Sequence, residues 1–194
     1  MTSDIYAIVE FAFADVRAGL NSPDYWRDVM LLRINTPYCL AVVGTSGTTL
    51  RVNIGKKKPE KLDNVARIKF NYSVADQLPD YSDIKLLAQK GPLSISDYRI
   101  QLEAVALPNA RTFLHLTYSN SVSFACKLAM QTYLGTIGRG KVGFTRNGKL
   151  AEGQSAYIEG VRGLVERNTM RYYLAINFYL EVTLKRRARS LRNV

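Results

Sequence analysis

The one histidine, His115, is the only imidazole available for proton transfer, so a catalytic triad or a multi-histidine metal site would have to run through it alone. It falls in a strand-like stretch, where the ordinary alternative is a hydrogen-bonded or pocket-lining residue. A serine nucleophile finds no GxSxG elbow, since Gly44-Thr45-Ser46-Gly47-Thr48 misses the pattern. Cys39 and Cys126 stand far apart, without a CxxC pair or a neighbouring histidine, which is not the spacing of a zinc site. Two buried thiols are expected, with a disulfide between them left open. Gly138-Arg139-Gly140-Lys141-Val142-Gly143 matches GxGxxG, and Gly135 to Lys141 matches GxxxxGK. Both phosphate motifs need a preceding strand and a following helix, whereas this run follows a helix-like segment, and Val142 stands where Ser or Thr would hold magnesium. It reads as a glycine-rich connection, and no cofactor is expected.

What remains is recognition chemistry. The 12 tyrosines each offer an apolar body with a hydrogen-bonding tip, which suits the wall of a cavity. Asn168 interrupts an otherwise apolar helical stripe, and a buried amide must find a partner. Tyr72, Tyr98, His115, Tyr118, Asn168 and Tyr172 are the expected lining of a ligand cavity.

The elements that must position them alternate in period. Ile5 to Glu10 has strand character, Phe13, Val16 and Leu20 follow helical spacing, and Ser22-Pro23 opens a second short helix as N-cap and first residue. Period-two segments follow: Tyr38 to Val43 and Thr49 to Ile54 around a Gly44-Thr45-Ser46-Gly47 turn, then Ala66 to Tyr72, Ile84 to Ala88, Tyr98 to Leu107 and Arg111 to Ser119. Clean alternation gives an antiparallel sheet with one buried and one wet face. Ser123 to Leu134 turns helical, and Arg146-Asn147-Gly148 suggests a small hairpin. A long helix is expected from Ser155 to Thr183, roughly 40 Å, with Val161, Leu164, Val165, Asn168, Tyr172, Ala175, Ile176 and Tyr179 on one stripe.

With 47% hydrophobic and 22% charged residues, disordered, collagen-like and coiled-coil chains are excluded. There is no apolar run of about 18 residues that would span a membrane as a helix. Nor does the stretch from Met1 to Asp4 carry the basic and apolar regions of a secretory signal, although a mature exported form would look the same. The net charge of +11 favours polyanions, and it is concentrated in Lys56, Lys57, Lys58 and Lys61 and in the tail residues Lys185, Arg186, Arg187, Arg189 and Arg192. The tail is expected to touch an anionic membrane peripherally. For nucleic acid, no helix-turn-helix, zinc finger or aromatic RNP-like signature accompanies the basic clusters.

The order strand, two short helices, antiparallel strands, long terminal helix resembles the START and polyketide-cyclase type of lipid-binding domain, the helix-grip superfamily that includes the birch-pollen allergen. Ile5-Tyr6-Ala7-Ile8-Val9, followed by Phe13-Ala14-Asp15-Val16, Leu20, Pro23 and Trp26, is similar to that family's first strand and its V-x-x-x-L-x-x-P-x-x-W helices. The resemblance implies an α+β helix-grip fold over residues 1–183, a curved sheet of six to seven strands around the terminal helix, with 123–153 as an additional helix and Gly-rich segment and 184–194 as a basic tail. It also implies an apolar cavity between sheet and helix. Expected from it is noncatalytic binding or transfer of a hydrophobic, lipid-like molecule. A cyclase or aromatase in the same cavity, using His115 and nearby tyrosines, is the alternative, and nucleic-acid binding is the second.

Overall fold

The computed structural model of the protein describes residues 1–32, 36–55, 65–149 and 153–192, with the side chains of 76, 93 and 185–192 left aside. In chain order the elements are β1 (Thr2–Val9), α1 (Phe13–Leu20), α2 (Pro23–Leu31), β2 (Tyr38–Gly44), β3 (Gly47–Ile54), β4 (Ala66–Gln77), β5 (Tyr81–Lys90), β6 (Ile95–Leu107), β7 (Arg111–Val122), α3 (Phe124–Gly135), β8 (Arg146–Lys149), β9 (Ser155–Tyr157) and α4 (Gly160–Arg192). The first seven strands form one antiparallel sheet in the order β1-β7-β6-β5-β4-β3-β2, so the first strand joins the last of them at an edge. The architecture is α+β and of helix-grip type.

Alternation decides which face is inside. On β6, Tyr98, Ile100, Leu102 and Ala104 are buried, and on β7 so are Thr112, Leu114, Leu116, Tyr118 and Asn120, with Ile100 opposite Tyr118, Leu102 opposite Leu116 and Ala104 opposite Leu114. Against this face lie Val165, Thr169, Tyr172, Ile176 and Leu180 of α4, while α1 and α2 contribute Val16, Leu20, Trp26 and Val29, all fully buried. Trp26 Nε1 donates to the Leu20 carbonyl at 2.9 Å, closing the end of α1 on the start of α2. Val16, Leu20 and Trp26, which carried the family resemblance, are thus core residues. Burying such side chains contributes about 1.5–3 kcal/mol each.

Three local expectations change. Ser22 makes no capping bond, whereas the Ser123 hydroxyl accepts from the Cys126 N–H at 3.2 Å and caps α3. Ser155–Tyr157 is not the start of the long helix but a strand paired with β8, and Gly160, at φ +66°, makes the left-handed turn into α4. On α4 the buried polar residue is Thr169, not Asn168, which is half-buried at the edge of the stripe. From Val165 both positions are within one turn, but the Thr169 hydroxyl is satisfied by the Val165 carbonyl at 2.9 Å, whereas an amide brings two donors and an acceptor that one carbonyl leaves unmet. The backbone of α4 runs on helically past Thr183 to Arg192. Lys56, Lys57, Lys58 and Lys61, and the side chains of Lys185, Arg186, Arg187, Arg189 and Arg192, lie outside the described residues.

Candidate ligand site

Of the six expected lining residues, three gather at one end of the interior. Tyr118 and Tyr172 are both buried, with ring centroids 5.6 Å apart, and Tyr98 is buried edge-on to Phe70 at 6.2 Å and lies over Gly91. Tyr72 faces the same interior but reaches the other way, its hydroxyl 3.5 Å from the Leu20 carbonyl, and burial pushes that hydroxyl up to about 12. Asn168 is displaced from the buried stripe by Thr169.

His115 does not line the interior. Its neighbours Leu114 and Leu116 point inward, so the two-residue period turns His115 to the outer face. There its Nδ1 lies 2.8 Å from Glu103 and its Nε2 3.0 Å from Asp4, and the ring stacks on Tyr6 at 4.4 Å. Tyr81 extends the ladder by donating to Glu103 at 2.7 Å. The sequence shows no partner for His115 because all of these lie on other strands.

The residue that sequence reading missed is Asn120. It sits beyond Tyr118 on the inward face of β7, is only 8% exposed, and its Nδ2 donates to the Tyr118 hydroxyl at 3.0 Å. Its Oδ1 is buried and has no hydrogen-bond partner. The available signal was an Asn in phase with Leu114, Leu116 and Tyr118.

Next to this end runs a cleft of about 460 Å³ along the seam between β1 and α4. Ser3, Ile5, Met170 and Phe144 border it, together with Arg162 and Glu166. Ser3 is paired opposite Tyr118, and the Asn120 N–H donates to the Met1 carbonyl at 3.0 Å, which places the cleft beside the Asn120 and Tyr118 end. One wall is a strap, the backbone from Gly143 to Thr145. It is held to α4 by Glu166, whose carboxylate accepts from the Phe144 N–H at 3.1 Å, the Thr145 N–H at 3.0 Å and the Thr145 hydroxyl at 3.0 Å. Desolvation pushes this carboxyl up, but the bonds from Thr145 and Phe144 outweigh it and hold it below its ordinary value.

A second cleft, about 660 Å³, lies on β2 to β4 among Tyr38, Leu40, Arg51, Arg67 and Lys69. The glycine-rich run matching GxGxxG follows α3 and leads into β8, which is not the strand-to-helix turn a dinucleotide needs. Among the described residues no group of three or more acidic, Cys or His side chains is placed to hold a metal. Cys39 and Cys126 are free thiols, the first buried in β2 with its thiol pushed up to about 11 by burial.

In sequence the chain stands apart, for no family model and no curated protein matches it. In structure it does not. A Thermus thermophilus protein superposes with a TM-score of 0.58 at 8% identity, covering 94% of this chain and 99% of that one. The Zhui aromatase/cyclase from Streptomyces sp. R1128 gives 0.54 at 12%, covering 97% and 95%, and a conserved protein from Geobacillus kaustophilus gives 0.52 at 11%, covering 94% and 97%. The chain therefore shares the α+β helix-grip fold of these structures, an aromatase/cyclase among them.

Proposed function

We propose that the protein binds a hydrophobic, lipid-like small molecule carrying one hydrogen-bonding group, seated between the sheet and α4 and entered from the seam beside β1. The observation that carries this reading is Asn120, a buried amide with one end unpartnered in a tyrosine-rich interior. An unsatisfied buried polar atom costs about 1–3 kcal/mol, which a ligand hydroxyl or amide would recover. Tyr118 and Tyr172 supply the apolar wall, and the cleft at the seam of β1 and α4, bordered by Thr2 to Tyr6, Arg162 and Glu166, is the way in. With His115 on the outer face, the interior has no imidazole for the cyclase alternative, and the binding reading is the better supported.

The test is native mass spectrometry of the purified chain, followed by competition of hydroxystearate and its O-methyl ether against a bound fluorescent fatty acid. Asn120→Leu should leave the free protein as stable or more so, while weakening hydroxystearate about ten-fold and the ether little. A protein that carries no small molecule and binds neither probe is not a lipid-like binder. An Asn120→Leu variant with unchanged preference for the hydroxyl removes Asn120 from the site.

A further inference from the structure

A helix packed on a protein surface ordinarily shows its polar face to water. On α3, Leu134 is buried with Cys126 and Met130 on its side, while the opposite side shows Phe124, 83% exposed, and Leu128, 55% exposed. Beyond the helix, Ile137 is 86% exposed and Phe144 half-exposed. From Phe124 to Lys149 the charged residues are Lys127, Arg139, Lys141, Arg146 and Lys149, all basic, without one carboxylate. Lys141 lies over the Tyr133 ring, 4.6 Å from its centroid, with its ammonium 2.6 Å from the Tyr133 hydroxyl, so aromatic and cation share one surface.

We propose that α3 and the glycine-rich turn after it form a docking surface for an anionic lipid bilayer, with Phe124, Leu128 and Ile137 entering the headgroup boundary and the five cations meeting lipid phosphates and carboxylates. Charge selects this occupant. A second copy of the chain would set like charges against each other, and nucleic acid would offer no apolar layer for Ile137 and Phe124, whereas an anionic bilayer supplies both at one depth. Asn120 lies on β7 just before α3, so docking sets the ligand end of the interior close to the membrane. This surface is separate from the basic tail, and it stands whether or not the interior holds a ligand.

The full-length protein is sedimented with phosphatidylcholine vesicles with and without phosphatidylserine. The expected result is binding that requires phosphatidylserine and falls about ten-fold in F124S/I137S, both exposed positions where the variant keeps the fold and its thermal midpoint. Phe124→Trp should give blue-shifted emission on the same vesicles, read against the buried Trp26. Replacing Lys185, Arg186, Arg187, Arg189 and Arg192 with Ser should leave that blue shift in place. Vesicle binding by F124S/I137S equal to that of the parent overturns the proposal, as does loss of all binding, blue shift included, in the tail variant alone. Tighter binding to duplex DNA than to vesicles at matched salt, or a dimer that F124S/I137S dissolves without changing vesicle binding, overturns it as well.

Discussion

Tyr25 is placed where its hydroxyl has to stay neutral. It is buried, donates to the Ile176 carbonyl at 3.1 Å, and meets Tyr179 edge-on at 4.6 Å, so desolvation first and the Tyr179 phenol second push it well above 10.0. Tyr72 is raised to about 12 by burial. Groups raised by folding contribute stability that is complete below their unfolded value and is lost as pH rises through the folded one. Unfolding free energy should therefore be flat to about pH 8, begin to decline as the Cys39 thiol, raised to about 11 by burial, loses its proton in the unfolded chain, and decline more steeply above about pH 10. Urea titrations across that range check it, and the decline should flatten in Tyr25→Phe, which also loses about 1 kcal/mol at neutral pH with the Ile176 bond. A slope unchanged in that variant would place the titration elsewhere.

At the same scale lies the reason the candidate site was only partly legible. That Tyr98, Tyr118 and Tyr172 are buried could be read because strand and helix periods put them in phase with aliphatic neighbours. His115 was misassigned by attention to its type, since the same period that turns Tyr118 inward turns His115 outward. Asn120 was in phase all along, but a lone Asn among apolar partners shows its unpartnered oxygen only in three dimensions.

Between elements, the strap on α4 depends on two glycines. An added Cβ at Gly163 would run into the Ile158 carbonyl oxygen and stand 2.9 Å from the Gly143 nitrogen, both backbone atoms that cannot yield as a side-chain tip can. Gly163→Ala should unseat residues 143–145 at a cost of about 1–3 kcal/mol. Hydrogen exchange should then accelerate at Gly143, Phe144 and Thr145, whose N–H groups go to Ile158 and Glu166, while β6 and β7 stay protected. The Glu166 carboxyl is held low, so its contribution is present above the unfolded value and lost as pH falls through the folded one, and acid below about pH 4 should release the same amides in the parent. Uniform acceleration across the sheet would mean that the strap is not a separate unit. No sequence signal gave this junction, because Gly143 and Gly163 meet only across the turn between β9 and α4. The succession of strands along the chain was readable from period two and turn chemistry, and the switch at Ser155 was not, since three strand residues are too few to show a period.

For the whole molecule, side chains from sheet and helices fill the grip, with Leu86, Ile100, Leu116, Tyr118, Tyr172 and Ile176 all buried. A ligand admitted there replaces contacts rather than filling free space, so its hold on the fold must appear as stability. A small molecule binding only the native state at a concentration 100-fold above its Kd adds about 2.7 kcal/mol. In a chain of this size each kcal/mol moves the thermal midpoint by about 2–4 °C, so saturation should raise it by roughly 5–10 °C. Protein stripped of copurifying lipid by unfolding on a hydrophobic resin and refolding should melt lower by that amount, and returning the extract should restore it. In Asn120→Leu the restoration should fall to about half, because a ten-fold weaker hold leaves the ligand only about 10-fold above its Kd and adds about 1.4 kcal/mol. Equal midpoints for stripped and unstripped parent, with an extract that mass spectrometry finds to contain a lipid, would mean that the lipid was held outside the grip and not between β7 and α4.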